Sequence, residues 1–292
     1  MKPPPFEYVR ASTLGEAIAT LSHNEDARIL AGGQSLMAMM NLRYIFPSIL
    51  VDINELHELA GISASPQLVR IGAMTRQRAI ETSPALAGVA PIFQAAVHLV
   101  GHRQTRNRGT IGGSLCHLDP AAELPTLALL HDCTIEATGP NGPRRIAVAD
   151  FITGYMTPGI AADEIVTAVE FAPWAPGHGY GFHEFARRHG DFAIASAAVL
   201  VERAADRTIE RVAICVGGVG SVPQRHVAGE EALTGTKGDE AAVALALDRC
   251  SQLDYVADFH GGEDYRLSVA RTMLRRSLAD ALDETRSGKA AA

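Results

Sequence analysis

The sequence predicts an α+β fold built as three consecutive lobes. Strand and helix patterns alternate over the first fifty residues, antiparallel-looking strands interleave with helices between 57 and 174, and three strands followed by two helices fill the region beyond 178. With 292 residues, 31.0 kDa and 47% hydrophobic composition, the chain is long enough for about two or more domains with real cores.

In the first lobe (1–56), an extended segment at 6–10 leads to a helix opening at Thr13-Leu14-Gly15-Glu16. That spacing is a capping box, with the hydroxyl on one orphan amide and the carboxylate reaching back. A short buried strand at 27–31, a turn at Gly32-Gly33-Gln34-Ser35, a second helix from 36 to 41 and a strand at 49–53 complete a β-α-β-α-β unit. The second lobe (57–174) has a strand at 68–73, helices around 75–82 and 91–100, and a glycine-bearing loop over 106–114. Pro120 suits the first position of an apolar helix over 121–131, and strands follow at 133–138, 144–148 and 165–171. Pro173-Trp174-Ala175-Pro176-Gly177-His178-Gly179 reads as a linker. The third lobe (178–284) is a meander of strands at 180–188, 192–202 and 208–219, covered on one face by helices over 239–251 and 263–282. The tail 286–292 is small and polar and carries no motif.

Charge and composition exclude several classes. The formal charge is -7 and only Lys2, Lys237 and Lys289 are lysines, which argues against a nucleic-acid partner. The first ten residues hold three consecutive prolines and no apolar signal core, and no stretch reaches bilayer length, so a cytoplasmic protein without a membrane span is predicted. Cys116, Cys133, Cys215 and Cys250 are too scattered for an iron-sulfur cluster or structural zinc in this chain.

The most informative feature is a pair of segments, Ala31-Gly32-Gly33-Gln34-Ser35 and Thr110-Ile111-Gly112-Gly113-Ser114, whose second glycines lie 80 residues apart. Adjacent glycines admit a ligand close to the backbone and reach conformations in which successive N–H groups converge on an anion. A neighbouring hydroxyl adds a donor, and a helix N-terminus after the first pair favours phosphate. Either pair alone reads as a tight turn; two, each with its hydroxyl, read as cradles for the halves of a pyrophosphate. Neither is G-x-G-x-x-G or a P-loop, so a Rossmann site and a P-loop are disfavoured. Asp119 and Glu123 flank a helix start four residues apart, and each offers an acceptor for ribose hydroxyls beside the ordinary reading of a cap.

Other groups point nowhere so specific. His98 and His102, with His117 and Asp119 nearby, can be drawn as a hydrolase metal site, but the H-E-x-x-H pattern is absent and no metal is predicted. Arg103, Arg106 and Arg108 read as a solvated face, and Cys116 as a small buried side chain.

Taken together, these motifs resemble the FAD-binding medium subunit of molybdenum hydroxylases, a family that includes the carbon monoxide dehydrogenase type and the flavin domain of xanthine dehydrogenase. The resemblance is carried by Ala31 to Leu36 with Leu42-Arg43, by Arg106 to Ser114 running into Asp119 to Pro125, by Arg187-Arg188-His189-Gly190-Asp191-Phe192-Ala193, by Gly217-Gly218-Val219-Gly220 and by Tyr265-Arg266. It implies two N-terminal α/β subdomains binding FAD between them and a C-terminal three-stranded antiparallel sheet with helices completing the flavin pocket. It further implies that both glycine segments hold the pyrophosphate, that Glu123 meets the ribose or adenine end, that Val100 and Ile165 make apolar contacts, and that Arg187 and Asp191 belong to the site. The implied assembly has a large subunit with the molybdenum cofactor and a small subunit with two [2Fe-2S] clusters, paired as a dimer of heterotrimers. FAD in this chain would then pass electrons to an external acceptor. The sequence departs from relatives at Gln34, Ser114 and Glu123, and Glu184 and Ala186 occupy a stretch where some relatives carry a lysine that approaches the flavin. Two rivals stay open at this point: a stand-alone flavin oxidoreductase, and a scaffold subunit that has lost FAD.

Overall fold

Strand Glu7–Arg10 (β1), helix Leu14–Ser22 (α1), strand Ala27–Leu30 (β2), helix Leu36–Asn41 (α2) and strand Ile49–Asp52 (β3) form the first lobe of the computed structural model, which describes residues 2–283. Residue 284 and the tail 286–292 lie outside the described residues. All three strands run parallel in the order β1-β3-β2, as two β-α-β crossovers require. Thr13 caps α1 by accepting the Glu16 N–H at 3.1 Å, and the Glu16 carboxylate reaches past it to the Ser12 N–H at 2.8 Å. The reciprocal arm of the box thus lands one residue earlier than the pattern implies. Ala17, Ile18 and Leu21 form the buried face of this helix.

The second lobe contains strands Ile62–Ala64 (β4) and Val69–Gly72 (β5), then helices Gln77–Glu81 (α3), Pro84–Val89 (α4), Ile92–Leu99 (α5), Arg103–Arg108 (α6), Ile111–His117 (α7) and Glu123–Leu130 (α8). Strands Thr134–Gly139 (β6) and Gly142–Ala147 (β7), helix Val148–Phe151 (α9), strands Ile152–Gly154 (β8) and Thr157–Pro158 (β9), and strand Ile165–Phe171 (β10) complete it. Its main sheet is antiparallel, in the order β4-β5-β10-β6-β7. Two expectations are corrected here. The region 106–114 is not a loop but two short helices interrupted at Gly109-Thr110, because Thr110 takes the extended conformation of a cap and restarts the helix. Pro120 does not open a helix either: Asp119 Oδ1 accepts the Ala121 N–H at 2.9 Å, and this side-chain turn delays α8 to Glu123.

The third lobe holds the three predicted strands, Gly179–Phe185 (β11), Ala195–Arg203 (β12) and Ile209–Gly217 (β13), with a two-residue edge strand Gln224–Arg225 (β14) and a helix Val227–Leu233 (α10) that the pattern did not announce. Helices Glu240–Asp248 (α11) and Glu263–Leu282 (α12) follow. Both faces of this sheet are buried. Phe182, Ala198, Leu200, Ala213 and Cys215 join the core of the second lobe, whereas Ala197, Val199, Val201, Val212 and Ile214 pack on Met273, Leu274 and Leu278 of α12. The linker is pinned rather than loose: Trp174 is 4% exposed, with the Arg211 guanidinium 3.9 Å from its ring centroid. Among the described residues no helix is long and apolar enough to cross a membrane.

Gly179 and Gly181 let α12 approach β11 so closely that a Cβ on either would strike the carbonyl of Ala281 or Ser277. Gly181→Ala is expected to cost about 1–3 kcal/mol of stability, read as a lower urea midpoint; an unchanged midpoint would contradict this close packing.

Candidate functional site

The two glycine segments meet backbone to backbone. Gly32 lies against the Arg108 carbonyl and the Gly109 Cα, where any Cβ would collide, and a Cβ on Gly113 would stand 3.9 Å from that of Ala31. Gly33 has φ +71°, a left-handed conformation that leads the chain from β2 into α2. Two side chains outside both segments fasten the contact. Arg76 donates through Nη1 to the Arg108 carbonyl at 2.6 Å and through Nη2 to Asn54 Oδ1 at 2.6 Å. Asn54 Nδ2 in turn donates to the Ala31 carbonyl at 2.9 Å and to Asp52 Oδ1 at 2.5 Å, and Tyr8 donates its hydroxyl to the other oxygen of Asp52. Sequence reasoning missed Asn54 and Arg76, which belong to no motif; the only local cue is that Asn54 closely follows the end of β3.

The two segments differ in what they offer a ligand. Among the described residues no hydrogen-bond acceptor meets the N–H groups of Gly32, Gly33, Gln34 or Ser35, and the Ser35 hydroxyl makes no cap bond. In the second segment the amides are spent on the fold: Ile111 donates to the Thr75 carbonyl, Gly112 to the Ala73 carbonyl, Gly113 to Thr110 Oγ1 and Ser114 to the Thr110 carbonyl, all between 2.9 and 3.2 Å. A run of four N–H groups without an acceptor among the described residues is therefore found at the first segment and not at the second. The second supplies a bare wall, with Gly112 pressed on Ala73 at a distance where a Cβ would come within 2.6 Å of the Ala73 methyl. Gln34 turns its amide onto the Gly32 carbonyl at 3.1 Å, which fixes the first loop from within.

Beyond the wall, α7 ends at Leu118 in a left-handed conformation and the chain turns through Asp119 to Glu123 at the head of α8. Burial and then the like charge of Glu184 push Glu123 up to about 8, while burial pushes Glu184 on β11 up to about 7. His117 is pulled down by burial, with Asp119 opposing. Burial pushes the Cys116 thiol up to about 12, consistent with a packed, unreactive side chain.

The remaining candidates lie further out. Val100 is half-buried and its carbonyl accepts from Arg106 Nη1 at 3.0 Å. Arg106 is not the solvated arginine the sequence suggests: it is 7% exposed and pairs with Glu81 at 3.0 Å, because Glu81 on α3 also gathers Arg78 at 2.8 Å and His98 at 3.1 Å. His98 therefore serves Glu81, while His102 faces His189, with ring centroids 6.0 Å apart. Ile165 is 3% exposed and packs among Ala11, Leu56 and Met74. Arg187 and Asp191 are exposed on the loop after β11; Arg187 donates to the His260 carbonyl at 3.2 Å, and Gly190 in that loop sits directly on the His102 ring. Arg266 of α12 holds the base of this lobe by donating to the Ile194 and Gly218 carbonyls at 2.8 and 2.5 Å.

Residues 4–174 match the family described as the FAD binding domain in molybdopterin dehydrogenase, and residues 180–281 match the CO dehydrogenase flavoprotein C-terminal domain. The chain is 40% identical over 291 residues to the 6-hydroxypseudooxynicotine dehydrogenase complex subunit alpha of Paenarthrobacter nicotinovorans, covering 99% of this chain and 98% of that one. It is 38% identical to the nicotine 6-hydroxylase medium subunit of the same organism, covering 96% and 99%. Among solved structures, a chain of carbon monoxide dehydrogenase from Hydrogenophaga pseudoflava superposes with a TM-score of 0.94 at 34% identity, covering 97% of this chain and 99% of that one.

The Glu81 cluster generates a test of how the 100–109 segment is held. Its arginine partners hold the Glu81 carboxyl down at about 2, so its contribution is complete above the ordinary value near 4.5 and is lost as pH falls toward 2. Glu81→Ala leaves Arg106 buried and unpaired, and is expected to cost about 3 kcal/mol at pH 7. The gap to wild type should narrow steadily from pH 5 to pH 2 in urea titrations; a gap independent of pH would refute the pairing.

Proposed function

Because the chain belongs to the family of FAD-binding medium subunits of molybdenum hydroxylases, we propose that it is the electron-transfer subunit of a cytoplasmic heterotrimer. It holds FAD between the [2Fe-2S] clusters of a small partner subunit and an external electron acceptor, while a large partner subunit with the molybdenum cofactor oxidises the substrate. Two such heterotrimers pair in the complete assembly. FAD supplies the exchange between single electrons and electron pairs, and the chain's own residues bind and orient it.

The observation that carries this reading is the contact of the two glycine segments, with four amides of the first meeting no acceptor among the described residues. The N–H groups of Gly32, Gly33, Gln34 and Ser35, with the Ser35 hydroxyl, donate to the pyrophosphate, and Ala31 closes the loop beneath it. Gly112 and Gly113 let it lie against bare backbone, Thr110 and Ile111 fix that backbone from behind, and Ser114 adds a hydroxyl. Asp119 and Glu123 take the ribose or adenine end. Val100 lines the crevice, and Ile165, being buried, shapes it from beneath. Arg187 and Asp191 border the flavin pocket from the third lobe. The relatives' names run from nicotine to carbon monoxide and quinoline at TM-scores of 0.92 to 0.94 for the solved structures, which supports substrate choice outside this chain.

The purified chain is expected to be yellow and to release about one equivalent of FAD on heating, identified by chromatography. Ser35→Asp sets a negative charge among the free amides and is expected to weaken FAD binding at least about tenfold, roughly 1.4 kcal/mol, with the thermal midpoint of the cofactor-free chain unchanged. A colourless wild type that stays colourless through titration with FAD would overturn the proposal.

A further inference from the structure

A trans peptide is planar and its N–H points away from its C=O, so a hydrogen bond that holds the carbonyl also sets the direction of the N–H in the same plane. Among the described residues no peptide bond is cis. In the first glycine loop three successive peptides are held by their carbonyls. Asn54 Nδ2 donates to the Ala31 carbonyl at 2.9 Å, Gln34 Nε2 to the Gly32 carbonyl at 3.1 Å, and the Met37 N–H to the Gly33 carbonyl at 3.2 Å. The N–H groups in those planes belong to Gly32, Gly33 and Gln34, and none of them meets an acceptor among the described residues. Each is therefore fixed in direction, turned away from the group that holds its carbonyl, and unspent.

The Met37 bond is the opening turn of α2, but the other two are made by side chains, and neither crosses the seam between the lobes. Ala31 directly follows β2 and Asn54 lies two residues beyond β3, so their bond stays within the first lobe. The Gln34 bond closes on its own loop, from an exposed side chain. Crossing the seam falls to Arg76, which reaches the Arg108 carbonyl. The Asn54 amide fits its surroundings in one orientation only. Its Oδ1 accepts from Arg76 Nη2 at 2.6 Å, while Nδ2 faces Asp52 Oδ1 at 2.5 Å as well as the Ala31 carbonyl; the reverse would set oxygen against oxygen and an amide nitrogen against a guanidinium. The Asn54 N–H also donates to Asp52 Oδ1 at 2.8 Å, and Tyr8 holds the other oxygen of that carboxylate. A side chain locked at both ends is a fixed donor.

We propose that Asn54 and the side chain of Gln34 are positioning residues for the cofactor: by holding the Ala31 and Gly32 carbonyls, they turn the N–H groups of Gly32 and Gly33 toward the pyrophosphate of FAD before it arrives. The Gly32-Gly33 peptide has glycine on both sides and is the easiest in the loop to rotate, and it is the one that Gln34 holds. Donors fixed in advance need little ordering when the ligand binds. The identity of the ligand rests on the FAD reading of the site; the holding of the two peptides does not.

The test uses the cofactor-free full chain carrying nitrogen-15 glycine, with inorganic pyrophosphate and FAD as separate probes. In wild type the Gly32 and Gly33 amide signals are expected to shift with either probe. Gln34→Met removes one donor without adding a charge, and because Gln34 is exposed the urea midpoint is expected to stay level. The Gly33 response should nevertheless shrink, and FAD affinity, followed by quenching of its fluorescence, should fall about fivefold. Asn54→Ala is expected to remove the Gly32 response and to weaken FAD at least as much; Gln34→Met decides the matter should that variant not fold. Unchanged glycine responses and unchanged affinity in Gln34→Met would overturn the positioning role and leave the flavin reading intact. A wild type whose glycine amides answer to pyrophosphate and not to FAD would remove the flavin reading and keep the two side chains as holders of an anion cradle. Amides that answer to neither probe would overturn both.

Discussion

The rest of the molecule depends on one contact in which two stretches of backbone, at Gly32 and at Arg108-Gly109, touch with no side chain between them. It joins a parallel three-stranded unit to an antiparallel one, two sheets with no hydrogen bond in common. A glycine is required because the partner is a carbonyl and cannot give way. The contact also spends polar groups at the rear of the interface, where Arg76 and Asn54 satisfy the carbonyls of Arg108 and Ala31. The amides of the first loop meet no acceptor among the described residues. Fastening the lobes and presenting donors are therefore one structural act.

Much of the fold was legible because its signals are local. The β-α-β-α-β unit announces itself by alternating runs, and α12 at Glu263–Leu282 lies where periodicity places it. The errors share a cause. Residues 106–114 look like a loop because glycine and polar residues dominate, yet six- and seven-residue helices there are held by tertiary bonds such as Gly112 N–H to the Ala73 carbonyl. Strand β14 is two residues long and has no pattern to show.

The site was legible to the same extent. Both glycine segments stand out in the chain, and the structure brings them into contact. Asn54, Arg76 and Glu184 acquire their meaning only across separations of 22 or more residues, through partners that no spacing rule connects. Likewise, the burial of Arg106 follows from Glu81, 25 residues earlier on a different helix. Sequence shows which groups exist; packing decides which amides are spent and which carboxyls are stripped of water.

The linker between the second and third lobes carries a last consequence. Trp174 is the sole tryptophan of the chain, and it is buried beneath the guanidinium of Arg211 on the third-lobe sheet. The indole emission of the whole protein therefore originates at the seam where the third lobe docks. Any loosening of that seam changes the colour and brightness of a single emitter, without a dye or a label. The chain carries its own optical gauge of whether the third lobe is closed on the other two.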